Sequence, residues 1–147
     1  MTNVCAHCML ELHNCPSELL DDPAFVRRAL HQAAQRAKAT LLKEITHQFH
    51  PQGVTALALL AESHLSIHTW PEKSYAAADV FTCGEAADPE AACRHLIELF
   101  RPGRHSLLRF TRGLATPLVE VLSGDGAAQH QEIMVQCPEP TYAPISG

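Results

Sequence analysis

The sequence predicts an α+β fold: a two-layer α/β sandwich with a mostly antiparallel sheet and both helices on one face. Three observations predict it. Two Asp-Pro pairs, Asp22-Pro23 and Asp88-Pro89, each open a stretch carrying one apolar stripe at helical spacing. Four strand-sized runs joined by short turns lie between those stretches, and a short turn reverses the chain. A further strand-like run precedes the first helix and another follows the second.

Cys5 to Leu12 suits the first strand, ended by the turn signal Asn14-Cys15-Pro16. Asp22 then supplies an N-cap oxygen and Pro23 fits the first helical position, after which Val26, Leu30, Ala33, Ala34 and Ala37 share a face. Thr40 to Phe49 has the two-residue period of a strand, and Pro51-Gln52-Gly53 turns it back. Val54 to Ala61 is apolar on both faces, which predicts a strand in the middle of the sheet, covered on both sides. His64 to Trp70 and Ala76 to Cys83 follow as strands joined by a turn at Pro71 to Ser74. The second helix carries Ala92, Cys93, Leu96, Leu99 and Phe100 on its apolar face and stops at Pro102-Gly103. His105 to Arg112 completes the core, so residues 1–113 form one domain. Residues 114–147, with Pro117, Pro138, Pro140 and Pro144, read as a loosely attached tail containing two strand-like snatches, Leu118 to Leu122 and Ile133 to Gln136.

A chain of 147 residues is the size of one ordinary domain. Its net charge of −5 comes from scattered groups, without a basic stripe to grip phosphates, so nucleic acid is not an expected partner. The longest apolar run, Ala56 to Ala61, is far short of the roughly 20 residues that span a bilayer, and no signal-peptide pattern is visible. The expectation is a cytoplasmic protein with no membrane partner. Its six cysteines then sit in a reducing compartment, where each is a thiol used for packing, ligation or catalysis. Cys5-x-x-Cys8 with His7, His13 and Cys15 invites a zinc reading. On a strand, however, Cys5 and Cys8 point to opposite faces, so packing is the default and no metal is expected.

The run from Glu62 to Glu72, ESHLSIHTWPE, concentrates the chemistry: a hydroxyl, two imidazoles and two carboxylates in one strand-sized segment ended by a Pro. Taken alone, Ser63 is a turn serine, His68 a core histidine and Cys83 a small buried hydrophobe. Together with HQFHPQGV at His47 to Val54 and the continuation through Gly84, the run resembles the prokaryotic pyruvoyl-dependent S-adenosylmethionine decarboxylase family, over roughly Cys5 to Gly113. His7 and Glu11 also match positions that recur in that family. Departures lie at Lys73-Ser74, where relatives carry an aromatic residue or His followed by Gly, and at His50.

The resemblance implies a zymogen that cleaves itself between Glu62 and Ser63 into chains 1–62 and 63–147. The Ser63 hydroxyl attacks the preceding carbonyl to give an ester; β-elimination and loss of ammonia then leave a pyruvoyl group. That ketone forms a Schiff base with the substrate amine and withdraws the electrons released with carbon dioxide, so neither pyridoxal phosphate nor metal is needed. The resemblance assigns His68 as proton acceptor in processing, assisted by Thr55, and Cys83 as proton donor in catalysis. It assigns Phe49 and Leu65 to adenine stacking and Glu72 to the ribose hydroxyls. The substrate would be S-adenosylmethionine and the product the aminopropyl donor for spermidine synthesis. Pyruvoyl-dependent arginine or ornithine decarboxylation is the alternative within the fold, and a non-enzymatic binding homologue the alternative outside it.

Strand parity adds a constraint of its own. Ser63 and His68 are an odd number of residues apart, so they face opposite sides of a strand and are separated by roughly 16 Å. This predicts a homodimer with shared sites: Ser63, Leu65 and Cys83 from one protomer, and Phe49, Thr55, His68 and Glu72 from the other.

Overall fold

The computed structural model describes residues 4–124 and 132–134. Strand β1 (Cys5–His13) leads through a short helix, α1 (Ser17–Leu20), into α2 (Pro23–Arg36). Strands β2 (Leu41–Gln48), β3 (Val54–Leu60), β4 (Ser63–Trp70) and β5 (Tyr75–Cys83) follow, then α3 (Pro89–Phe100) and β6 (Arg104–Arg112). The chain continues into β7 (Leu118–Gly124) and β8 (Glu132–Met134). All eight strands join one sheet in the order β2-β3-β4-β5-β1-β6-β7-β8. Every neighbouring pair is antiparallel.

Both Asp-Pro signals act as their residues dictate. The Asp22 carboxylate accepts from the amides of Ala24 and Phe25, and Asp88 accepts from that of Ala91, satisfying donors that a helix start leaves open. Val26, Ala29, Leu30, Ala33 and Ala34 of α2 and Ala92, Cys93, Leu96 and Phe100 of α3 are buried against the sheet. They meet Cys8, Leu10 and Leu12 of β1, Leu65 and Ile67 of β4 and Ala76, Ala78 and Val80 of β5 in one core. A fully buried Leu or Phe contributes about 1.5–3 kcal/mol. This helix-covered face therefore supplies most of the stability.

Two expectations are corrected. β3 is not central: only β2 lies beyond it, and its residues alternate between buried Val54, Ala56, Ala58 and Leu60 and the open face. Leu57 and Leu59 are 43% and 52% exposed there, so the apolar pattern on both faces does not reflect cover on both faces within one chain. The segment read as a loose tail also contributes β7, which pairs with β6 from Thr111–Leu118 to Ser106–Gly124. Its alternating Leu118, Glu120 and Leu122 against Val119 and Val121 complete the β6 edge, a packing role that the flanking prolines obscured. The second snatch, Ile133 to Gln136, falls partly on β8 and partly outside the described residues. Among the described residues, no helix is long and apolar enough to cross a membrane.

One buried hydroxyl ties the turn between β2 and β3 to the rest. Thr69 Oγ1 donates to the Leu20 carbonyl at 2.6 Å and accepts from the Val54 amide at 2.8 Å. Gly53 beside it has φ +103°, and a Cβ there would come within 3.0 Å of the Thr69 carbonyl oxygen. Only glycine fits that position without movement. Thr69→Val keeps the volume but orphans the Val54 amide; urea unfolding should show a loss of about 1–3 kcal/mol. An unchanged midpoint would mean that the hydroxyl is dispensable.

Candidate active site

Because α2 and α3 cover one face, the strand residues of opposite parity are left on the other. On that open face lie Thr55 and Leu57 of β3, His64, Ser66 and His68 of β4, Asp79, Phe81 and Cys83 of β5, and Cys5, His7 and Met9 of β1. Thr55 and His68 are register partners, and Thr55 Oγ1 lies 2.9 Å from His68 Nδ1. This contact fixes the ring and leaves Nε2 as the nitrogen for a proton transfer. They line a pocket of about 330 Å³ with Phe49, Gln52, Gly53, Thr69, Trp70 and Glu72. Four of the predicted residues, Phe49, Thr55, His68 and Glu72, are thus brought together. Sequence reading missed Trp70, whose ring stacks on Tyr75 at 5.2 Å, although an aromatic inside so polar a run was a usable signal.

Ser63 sits elsewhere. β3 ends at Leu60 and β4 begins at Ser63, so Ala61 and Glu62 form a two-residue hairpin turn. Glu62 has φ +65°, in the left-handed region that costs a non-glycine residue about 1–2 kcal/mol. The bond following it is the predicted cleavage point. Ser63 Oγ donates to the Ala61 carbonyl at 3.3 Å and is not sequestered in the core. Ser74, the departure from the family's Gly, also lies in the left-handed region, with φ +50°, which accounts for a glycine preference there.

Leu65 and Cys83 depart from expectation. Leu65 is fully buried on the helix-covered face, where it packs in the core and offers no surface to a base stacking on the open side. Cys83 is at the Ser63 end of the open face, but it is joined to Cys5 in a disulfide rather than held as a thiol. The pairing follows from register, since Cys5 of β1 lies directly opposite Cys83 of β5, which the sequence alone cannot reveal.

Between the two ends lies a polar cluster that the sequence analysis did not assemble. His7 Nε2 and His64 Nε2 approach Asp79 Oδ2 at 2.7 and 2.8 Å, and Ser66 donates to Oδ1. Burial raises the Asp79 pKa, but the bonds from Ser66, His7 and His64 outweigh it and hold the carboxyl below its ordinary value. The three ligand atoms lie within 4.8 Å of one another, a spacing that suits a cation. However, Arg112 Nη1 lies 3.2 Å from His7 Nδ1, and a guanidinium only donates, so the His7 proton is on Nε2 and faces Asp79. The cluster is built as a hydrogen-bond network.

The two ends are far apart within one chain. His68 is opposite Ala77, and Cys83 lies six residues farther along β5, about 20 Å away. The β3–β4 ladder is regular from Thr55–His68 to Leu60–Ser63, leaving no bend to bring them together.

A model of the S-adenosylmethionine decarboxylase family matches residues 6–113. The chain is 56% identical over 115 residues to an S-adenosylmethionine decarboxylase proenzyme of Synechococcus sp. (strain WH7803), covering 78% of this chain and 90% of that one. It is 60% identical over 106 residues to the proenzyme of that name from Parasynechococcus marenigrum (strain WH8102), covering 72% and 83%. The crystal structure of the adenosylmethionine decarboxylase from Aquifex aeolicus VF5 superposes with a TM-score of 0.72 at 31% identity, over 78% of this chain and 95% of that one.

The lowered pKa of Asp79 makes its contribution to stability pH-dependent. A depressed folded-state pKa stabilises above the unfolded value, about 3.9, and this is lost as pH falls through the folded value. Asp79→Asn should therefore be less stable than wild type at pH 7, with the gap closing below about pH 4 in denaturant titrations. A gap independent of pH would contradict this.

Proposed function

The chain belongs to the S-adenosylmethionine decarboxylase family, and we propose that it decarboxylates S-adenosylmethionine through a pyruvoyl group made from its own Ser63. The pocket carries this reading: an exposed aromatic ring, a carboxylate and a clamped imidazole line one cavity large enough for a small ligand. Phe49 and Trp70 offer stacking surface to a nucleobase, and Glu72 can accept two hydrogen bonds from ribose hydroxyls. A nucleoside-bearing amino acid uses all three. Arginine or ornithine would leave the stacking surface idle.

Ser63 fits the precursor of the pyruvoyl group. Its hydroxyl neighbours a carbonyl on a left-handed residue, and cleavage would release that local strain. The break would fall in a hairpin turn, so both new ends, at residues 62 and 63, remain held by the β3–β4 ladder. Once formed, a carbonyl at this position acts as an electron sink for decarboxylation. The chain's own groups do the rest: His68 takes a proton during self-cleavage, Thr55 fixes its ring, and the Cys83 thiol returns a proton to the substrate carbon.

Because His68 and Ser63 lie near opposite ends of β4 and at opposite parity, the proposed site is shared across a homodimer. Two copies meeting open face to open face about a two-fold axis bring the Ser63–Cys83 end of one against the Phe49–Thr55–His68–Glu72 end of its partner. Met9, Leu57 and Leu59, each more than 40% exposed, supply apolar surface for this contact. The proposed setting is the cytoplasm and the product an aminopropyl donor.

Intact-mass spectrometry tests the reading. Wild type should resolve into chains 1–62 and 63–147, the second beginning with pyruvoyl, and His68→Ala should accumulate precursor with processing slowed about 100-fold or more. The processed protein should release carbon dioxide from carboxyl-labelled S-adenosylmethionine. An uncut bond at Ser63 favours a binding homologue, and release from arginine or ornithine alone overturns the substrate.

A further inference from the structure

We propose that Cys5 is a redox partner that switches off Cys83 by forming a reversible disulfide with it. The inference rests on the reading of Cys83 as the proton donor. Cys5 and Cys83 are direct register partners on neighbouring antiparallel strands, with Cα atoms 4.2 Å apart and their sulfurs bonded. β1 is hydrogen-bonded to β5 on one side and β6 on the other, so both cysteines ride on ladders. The pair therefore meets through register alone, with no loop closure needed.

The remaining thiols of the described residues do not compete. Cys8, Cys15 and Cys93 are all buried on the helix-covered side. Burial pushes the Cys15 thiol up to about 11, making it a poor thiolate source at neutral pH. Cys5 and Cys83, by contrast, are partly exposed on the open face, where the substrate must also arrive. A small oxidant that follows the substrate's route reaches this pair and not the others.

The chemistry balances with a low-molecular-weight disulfide of the glutathione type as oxidant. The Cys83 thiolate attacks one sulfur of that disulfide and expels the first thiol. The Cys5 thiolate then attacks the Cys83 sulfur of the mixed disulfide and expels the second. Two protein thiols lose two electrons and two protons, and the oxidant is reduced to two thiols. The bridged Cys83 has no proton to give, while the backbone ladder is unaltered, so the oxidised protein is folded and catalytically silent. Cytosolic disulfides are usually of this transient, sensing kind, which reconciles the bridge with a reducing compartment.

Processed wild-type protein, equilibrated in buffers of graded reduced and oxidised glutathione, tests the switch. Non-reducing peptide mapping should show the Cys5–Cys83 bridge rising as decarboxylation falls, by about 100-fold when fully bridged, with recovery on adding dithiothreitol. Cys5→Ser, and independently Cys5→Ala, should match the reduced wild type in dithiothreitol and form no bridge, any loss of activity in oxidised glutathione then tracking a glutathione adduct on Cys83 seen by intact mass. Bridged protein that stays active, failure of the bridge to form, or equal reversible inactivation of both Cys5 variants with no adduct on Cys83 overturns the switch. Reduced, pyruvoyl-bearing protein that forms the bridge but never releases carbon dioxide overturns the decarboxylase reading instead, leaving the pairing mapped.

Discussion

The alternation of side chains along an antiparallel strand, combined with helices on only one face of the sheet, is the constraint on which everything else depends. Leu65, Ile67 and Thr69 enter the helix-covered core, and the alternate residues His64, Ser66 and His68 stand on the open face. α2 and α3 settle which parity is which, since their apolar stripes cannot be left in water. A one-residue slip of β4 would turn His64, Ser66 and His68 toward the helices and Leu65 and Ile67 away from them. Stability and chemistry are therefore written on opposite sides of the same strands.

Register then does what sequence distance cannot. It sets Thr55 against His68, Ser66 against Asp79 and Cys5 against Cys83. Each of these contacts involves side chains projecting from paired backbones, so the geometry is held by ladder hydrogen bonds rather than by flexible loops. The exception is the Glu62 turn, where the left-handed backbone concentrates strain beside the bond proposed to break. Strain is tolerable there because the flanking ladder holds both sides of the turn.

Much of the fold was legible because its signals are local. Asp22-Pro23 and Asp88-Pro89 each combine a cap with a preset φ, and both helices start where they specify. The position of β3 was not legible, because Leu57 and Leu59 are apolar for a reason that a single chain does not contain. The strand character of β7 was legible at Leu118 to Leu122, but its pairing with β6 was not, because the surrounding prolines suggested a loose attachment. For the candidate site, the ESHLSIHTWPE run pointed to the right strand, and the pocket gathered Phe49, Thr55, His68 and Glu72. The burial of the Leu65 side chain was not legible, because a family position carries no information about which face is covered. The Asp79 cluster and the Cys5–Cys83 pair join residues more than 70 positions apart from β1 to β5, which only strand order reveals.

The apolar exposed residues of the open face and the wide separation of Ser63 from His68 both call for a second copy. Co-expression of Ser63→Ala and His68→Ala chains, each inactive alone, measures this most directly. Random pairing should restore self-cleavage and decarboxylation at about a quarter of the wild-type sites, since half the dimers are mixed and each holds one complete site. Purified mixed dimers with no cleavage at Ser63 and no carbon dioxide release would contradict a shared site.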